Sequence, residues 1–171
     1  MIPCIRPEMN TSMRNKRSSF WKKGLLLLAV FLLAWYVSAY HYQFLLIQGN
    51  SMEPSFHNLQ LVVMAKNYEE ILTGEVIACK ADNLDAVLVK RVVAAPGDRV
   101  QITDGMLYVN GVLGQHQRPG MEIAYAGIAE EPILLGAEEY FVLGDNYAYS
   151  KDSRYEEINV IQKKDIIGVI L

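Results

Sequence analysis

The first residues that could do chemistry lie in residues 48–55, which read Q-G-N-S-M-E-P-S. Gly49 permits a turn just before Ser51, and Pro54 biases Glu53 towards an extended backbone. Together they would hold Ser51 at a bend, with its hydroxyl accessible as a nucleophile. A serine close to glycine and proline more often belongs to an ordinary turn. This segment alone therefore does not establish a nucleophile.

The second candidate is a lysine in the middle of an apolar run, residues 85–98, D-A-V-L-V-K-R-V-V-A-A-P-G-D. Burial disfavours an ammonium group and can lower a lysine pKa by several units from its reference value of about 10.4. A neutral Lys90 amine could then take a proton from a serine hydroxyl. The alternative is that Lys90 and Arg91 point out of an edge strand. Because strands alternate, at least one of the two faces solvent or an ion partner.

The third segment, residues 144–154, reads G-D-N-Y-A-Y-S-K-D-S-R and is dense in turn formers and hydrogen-bonding side chains. Such a composition is typical of a loop that satisfies its own polar groups. Taken alone, the segment favours a structural role, with Asp152 and Arg154 pairing to hold the loop.

The order of the three segments is more specific than any one of them. Ser-Met-x-Pro follows a long apolar run, Lys-Arg-Val-x-x-x-Pro-Gly-Asp comes next, and Gly-Asp-Asn…Ser-x-Asp-Ser-Arg comes last. This order closely resembles the signature of the type I signal peptidase family, the Ser/Lys dyad serine proteases that include bacterial leader peptidase. The resemblance runs from about residue 24 to residue 171. It implies that Ser51 is the nucleophile and Lys90 its general base.

The resemblance also implies supporting roles around this dyad. Ser150 would orient the Lys90 amine by a hydrogen bond, and Arg91 would be a structural partner. Further residues would brace the site or shape it beside the nucleophile: Asp145, Asp152 and Arg154 as supports, and Gly49, Met52 and Pro54 as shaping residues.

Two positions depart from the family pattern. Some members carry a serine two positions before the nucleophile, whose hydroxyl helps to stabilise the oxyanion, whereas this chain has Gly49. The oxyanion would then depend on backbone N–H groups, chiefly that of Ser51. Tyr147 stands where many members have Arg or another polar residue, and we expect it to affect loop packing.

The activity implied by the resemblance is that of a membrane-bound serine endopeptidase. It would remove N-terminal signal peptides from exported preproteins after small residues, at Ala-x-Ala type sites. Neutral Lys90 would accept the Ser51 proton during attack, and would then serve the leaving amine and the deacylating water. We expect no cofactor, no metal and a monomeric enzyme.

Two other functions remain open from the sequence. The first is a non-catalytic, membrane-tethered β-domain that binds peptides by strand addition. The second is a related enzyme that uses the same pair to cut itself or one dedicated partner. A Ser-His-Asp protease is disfavoured because His41, His57 and His116 lie in no suitable setting, and the sequence has no His-Glu-x-x-His motif for zinc.

The element just upstream of Ser51 is an uncharged run from residue 24 to residue 40. As a helix it would cover about 26 Å, and continuing the helix to Ile47 would span a hydrocarbon core of about 30 Å. A cleavable signal peptide ending at Val37-Ser38-Ala39 is the alternative. The length of the run, with bulky Trp35 and Tyr36 before that position, favours an anchor.

Charge sets the expected topology of this anchor. Six basic residues and one acidic residue precede residue 24, which predicts a cytoplasmic N-terminus and an extracytoplasmic body at the cell membrane. We therefore expect a basic segment at 1–23, an anchor helix at 24–47 and a catalytic domain at 48–171. The remainder of the chain carries ten basic and eighteen acidic residues, which argues against a nucleic-acid partner.

After the anchor, short runs rich in β-branched residues alternate with turn residues. Asp104-Gly105 between two of them predicts a hairpin. The pattern predicts a mainly β body, an antiparallel sheet that is folded over or forms a partly open barrel, with a small insertion or loop at 112–138. The predicted strands are residues 59–65, 75–79, 86–93, 99–103, 106–110, 139–143 and 165–171.

Overall fold

The computed structural model describes residues 11–81, 86–115, 117 and 120–171. The chain divides into two units, Met1–Tyr40 and His41–Leu171. The described part of the first unit is helical, whereas the second consists mainly of β-strands. The Lys90 run and the 144–154 loop both belong to the second unit.

Helix α1 covers Thr11–His41, and its part from Trp21 to His41 is long and apolar enough to cross a membrane, with a mean hydropathy of 1.8. None of that part is buried against protein. A helix that is apolar on every side and unburied suits a lipid environment, although a signal sequence near an N-terminus has the same length and composition.

The prediction that the helix continues to Ile47 is corrected by the structure. The helix ends at His41, and Tyr42–Leu46 form strand β1. All five β1 residues pair with β2 in antiparallel register, from Tyr42 opposite Ala65 to Leu46 opposite Leu61. Pairing with a neighbouring strand thus satisfies the backbone of this apolar segment, and a sequence reading of hydropathy does not detect it.

The second unit contains eleven strands within the described residues. A seven-stranded antiparallel sheet has the order β1-β2-β11-β3-β4-β9-β10, and a four-stranded sheet has the order β7-β6-β5-β8. The strands after β1 are β2 (Leu61–Ala65), β3 (Val76–Lys80), β4 (Val87–Ala94), β5 (Arg99–Thr103), β6 (Met106–Val109), β7 (Val112–Leu113), β8 (Ile133–Leu134), β9 (Glu139–Leu143), β10 (Ile161–Gln162) and β11 (Ile166–Ile170). Two 3₁₀ turns cover Gly127–Glu130 and Lys163–Asp165.

The predicted fold class is confirmed: the body is mainly antiparallel β, with one N-terminal apolar helix, and the described sheets do not close into a barrel. Each of the seven predicted strands overlaps an observed strand, and their ends differ by at most two residues. The hairpin at Asp104-Gly105 is also confirmed, because both residues have positive φ (49° and 72°) and join β5 to β6. The segment 112–138 is more than a loop, since it supplies β7 and β8 as the two edges of the smaller sheet.

Three buried clusters hold the sheets together, and one of them fixes the nucleophile segment. Its buried members include Ile47 and Met52, which pack with residues of β2, β3 and β11. Strand β4, which carries Lys90, lies between β3 and β9 inside the larger sheet. The larger sheet therefore positions both candidate catalytic residues. Lys90 lies on one of its inner strands, and Ser51 is next to Met52, which packs against it.

Candidate active site

Ser51 lies in a turn anchored on both sides. Gly49 has a φ of 91°, a left-handed conformation that favours glycine, and its N–H donates to Asn58 Oδ1 at 2.9 Å. Met52, next to Ser51, is 1% exposed. Ser51 itself is half-buried. The turn expected from Gly49 is therefore present, and the apolar Met52 holds it against the sheet.

Lys90 is buried in β4, where it pairs with Ile77 of β3 and is 3% exposed. Its Nζ donates to Ser51 Oγ at 2.8 Å. Burial lowers the pKa of Lys90 below its ordinary value, while the Asp152 carboxylate opposes this shift. The structure therefore joins a half-buried hydroxyl to an amine whose surroundings favour the neutral, basic form.

Arg91, the next residue of β4, forms an ion pair with Asp145. Its Nε donates to Oδ1 at 2.8 Å and its Nη2 to Oδ2 at 2.6 Å, while Nη1 donates to Gly74 O at 2.7 Å. A planar guanidinium suits this two-point contact. Strand alternation thus gives the two adjacent basic side chains different partners: the serine for Lys90 and a carboxylate for Arg91.

The loop 144–154 contacts the nucleophile turn directly. The Asn146 N–H donates to Ser51 O at 3.0 Å, and Asn146 Nδ2 donates to Asn50 O at 3.2 Å. A Cβ placed on Gly144 would lie 2.2 Å from Ser150 Oγ and 2.5 Å from Ser51 O. Only glycine fits this position, where the loop passes against the carbonyl of the nucleophile.

Asp152 and Arg154 form a buried pair behind this contact, at 0% and 1% exposure. Arg154 donates to both Asp152 oxygens, through Nε at 2.7 Å and Nη2 at 2.9 Å, and Asp152 Oδ2 accepts the Gly144 N–H at 3.0 Å. Arg154 Nη2 also donates to the carbonyls of Tyr147 and Ser150. The guanidinium therefore fixes the loop at several points and neutralises the carboxylate near Lys90.

Ser150 does not make the hydrogen bond expected from the sequence. Its hydroxyl is buried and has no hydrogen-bond partner among the described residues, Lys90 included. The side chain nevertheless lies against Gly144, beside the carbonyl of Ser51. The residue is brought to the site, but its hydroxyl is not engaged with the amine.

The remaining residues singled out in the sequence have other surroundings. Pro54 is exposed in the nucleophile turn. Tyr147 is buried in the cluster that joins the smaller sheet to β9, a packing role as expected. His57 Nδ1 lies 3.9 Å from Glu53 Oε1, and the His41 ring hydrogen-bonds with Asn67. His116 lies outside the described residues.

An open cleft of about 540 Å³ leads to the dyad. Residues 45–52 and 86–90 form its walls, and Tyr149 and Lys151 complete its lining. The sequence interpretation did not identify Tyr149, Lys151 or Gly144, although all three lie inside the third motif. Across the described ranges, no group of three or more His, Cys, Asp or Glu residues could hold a metal ion.

Comparison with known proteins shows which family this chain resembles. The model of a family described as "Signal peptidase, peptidase S26" matches residues 20–171. A signal peptidase I from Bacillus licheniformis is 29% identical over 90% of this chain and 88% of its own length. Signal peptidase I V of Bacillus subtilis is 30% identical over 72% of this chain and 80% of its own. A crystal structure of a signal peptidase I from Enterococcus faecalis aligns with a TM-score of 0.49 and 22% identity, covering 61% of this chain and all of that one.

Proposed function

Because this chain belongs to the signal peptidase family, peptidase S26, and is a serine endopeptidase by that membership, we propose that it removes signal peptides from exported preproteins with a Ser51–Lys90 dyad. The observation that carries the proposal is the 2.8 Å contact between the Ser51 hydroxyl and a buried lysine amine. A lysine serves as a general base only when it is neutral, and burial favours that form.

The reaction we propose is acyl transfer in two steps. Ser51 Oγ attacks the scissile carbonyl as Lys90 takes its proton, and Lys90 passes that proton to the departing amine when the C–N bond breaks. The signal peptide is then an ester on Ser51. Lys90 next takes a proton from water, the hydroxide attacks the ester, and Ser51 regains its proton as the free carboxylate leaves.

Around the dyad, the supporting residues act on geometry. The Asn146 contact to Ser51 O, the Arg91–Asp145 pair and the Asp152–Arg154 pair hold the nucleophile turn and the 144–154 loop together. We assign the oxyanion to backbone donors, chiefly the Ser51 N–H, because Gly49 offers no side chain. Met52 packs beneath Ser51 and fixes its position.

The substrate we propose is an extended peptide lying in the cleft. In an extended chain, the first and third residues before the cut point to the same side, so one wall can test both. Cleavage after small residues, as at Ala-x-Ala sites, then requires side chains short enough to fit against that wall. Apolar residues of 45–47 and 86–89 supply most of the two walls.

We also propose that the enzyme is bound to the cell membrane, with its N-terminus in the cytoplasm and its catalytic domain outside. The apolar stretch Trp21–His41 and the basic residues before it support this topology. Strand β1 adds an apolar face, because Tyr42, Phe44 and Leu46 are exposed on alternate positions and Leu61 of β2 is exposed beside them. Such a face suits contact with a lipid surface.

The test is cleavage of a labelled preprotein by the purified full chain in detergent micelles. We expect the unaltered protein to release a signal peptide, and Ser51→Ala and Lys90→Ala each to abolish release while remaining folded by circular dichroism. His57→Gln is the matched control and should cleave normally. Binding of the preprotein without cleavage by the unaltered chain would identify a peptide-binding domain instead and overturn the proposal.

A further inference from the structure

The lining of the cleft has two chemically different parts. One part consists of apolar side chains, among them Leu45, Ile47, Val87 and Val89, on the two segments that lead along the chain to Ser51 and Lys90. The other part consists of two large polar side chains, Tyr149 and Lys151. They flank Ser150, whose hydroxyl lies against Gly144 on the side of the Ser51 carbonyl.

This polarity assigns a direction to a bound peptide. A chain whose scissile carbonyl lies at Ser51 extends both along the apolar walls and past Tyr149 and Lys151. The segment before the cut belongs to an apolar signal peptide, and the segment after it begins a protein surface that will face water. Because apolar groups gain free energy by contact with other apolar groups, the apolar signal peptide lies against the apolar walls. The first residues after the cut pass Tyr149 and Lys151.

Lys151 supplies the positive charge beside the dyad, because Lys90 acts as the neutral amine. No acidic residue lines the cleft in the described part of the chain. The Lys151 amine is ion-paired with Glu157, but both side chains are more than half exposed, at 53% and 58%. An exposed pair of this kind contributes little and exchanges partners easily.

We propose that Lys151, which lines the cleft together with Tyr149, selects for an acidic side chain at the first or second residue after the cut and disfavours a basic one there. This inference rests on the proposed function and adds a specificity determinant to it. A carboxylate arriving beside Lys151 takes over its amine from Glu157, whereas a basic side chain there meets the like charge of Lys151. The effect is Coulombic, so it weakens with added salt.

The test uses the full chain in detergent micelles and a set of peptides that differ only after the cut. Asp, Asn and Lys are placed in turn at the first and at the second position, and kcat/KM is measured for each. We expect roughly fivefold to tenfold preference for Asp over Lys at one of these positions at low salt, falling towards one at about 0.5 M salt.

Variants at residue 151 separate this effect from net charge. Lys151→Gln should reduce the Asp-to-Lys ratio to near one, and Lys151→Glu should invert it. Lys164→Gln removes the same charge from an exposed position outside the cleft lining and should keep the ratio of the unaltered enzyme. A ratio near one in the unaltered enzyme, or one that survives in Lys151→Gln, overturns the inference alone. Failure to cleave any peptide, the Asn peptides included, overturns the proposed function and this inference with it.

Discussion

The Lys90 amine and the Ser51 hydroxyl lie 2.8 Å apart, although their Cα atoms belong to a strand inside the larger sheet and to a turn at its border. At this separation a proton can pass from the hydroxyl to the amine without movement of either backbone. The first consequence concerns pH, because only the neutral amine can accept that proton.

We predict that kcat/KM rises with pH through the pKa of Lys90. Burial lowers this pKa, so the neutral fraction of the amine, and with it the rate, increases at a pH below the ordinary lysine range. A pH–rate profile of the full chain measures the rising limb. His57→Gln should retain the limb, whereas its disappearance in that variant would exclude Lys90 as the group that titrates.

We predict that Lys90→Met makes the folded protein more stable at neutral pH. The folded-state pKa of Lys90 is lower than the unfolded one, so the unfolded chain binds the proton more readily between the two values. The free-energy cost of burying Lys90 is therefore greatest at a pH below its folded-state pKa. This cost falls as the pH rises towards its unfolded-state pKa. We expect a gain of about 1–3 kcal/mol near pH 7, shrinking towards pH 10, by urea unfolding at each pH. A loss of stability that is constant with pH would contradict this account.

We predict that Gly144→Ala lowers kcat at least ~100-fold, because its methyl group would collide with Ser150 Oγ and Ser51 O and displace the nucleophile. Gly136→Ala is the matched control. Its added carbon meets only the flexible Glu139 side chain, at 3.2 Å. Cleavage assays with both variants decide the matter, and near-normal activity in Gly144→Ala would show that the two loops adjust without disturbing Ser51.

We predict that Ser150→Ala separates stability from activity. The buried hydroxyl has no partner among the described residues, so its removal should leave unfolding free energy within about 0.5 kcal/mol of the starting value or raise it. If Ser150 orients Lys90 during the reaction, as the family resemblance implies, kcat should fall roughly tenfold to a hundredfold. An unaltered kcat would assign the residue to packing alone.

We predict that Arg91→Met destabilises the protein by about 3 kcal/mol, since it removes a two-point ion pair from the Asp145 carboxylate, which is 6% exposed. Arg91→Lys keeps the charge but not the two-point contact, and should cost less. Urea unfolding of both variants, together with Arg91→Met/Asp145→Asn, tests the cause. Removing the carboxylate as well should restore part of the loss, and a double variant no better than Arg91→Met would place the cost elsewhere.

The strands that the sequence predicted correctly have at least four residues and are rich in β-branched or aromatic side chains, such as Val87–Ala94 of β4. The strands it missed are short edges or continuations of an apolar run. Hydropathy predicts a helix at Tyr42–Leu46 because it does not distinguish a lipid surrounding from a strand partner, whereas five pairings with β2 make the segment a strand. Val112–Leu113 and Ile133–Leu134 are too short for a two-residue period to be visible.

The site was predicted through the order of its motifs and not through any residue alone. Spacing along the chain does not predict the contact between Ser51 and Lys90, because that contact depends on how β2, β11, β3 and β4 lie side by side. The sequence likewise does not predict that Tyr149 and Lys151 line the cleft, since exposure to the cleft is a property of the folded loop. The predicted bond from Ser150 to Lys90 depended on side-chain rotamers, which no motif specifies.

Strand β11 lies between β2, which follows the nucleophile turn, and β3, which pairs with the strand of the general base. A ribosome produces β2, β3 and β4 long before residues 166–170, and β2 and β3 have no direct pairing without them. During biosynthesis the larger sheet thus cannot take its observed strand order until residues 166–170 have been made. The arrangement that places the Ser51 turn beside the Lys90 strand is complete only when β11 lies between β2 and β3.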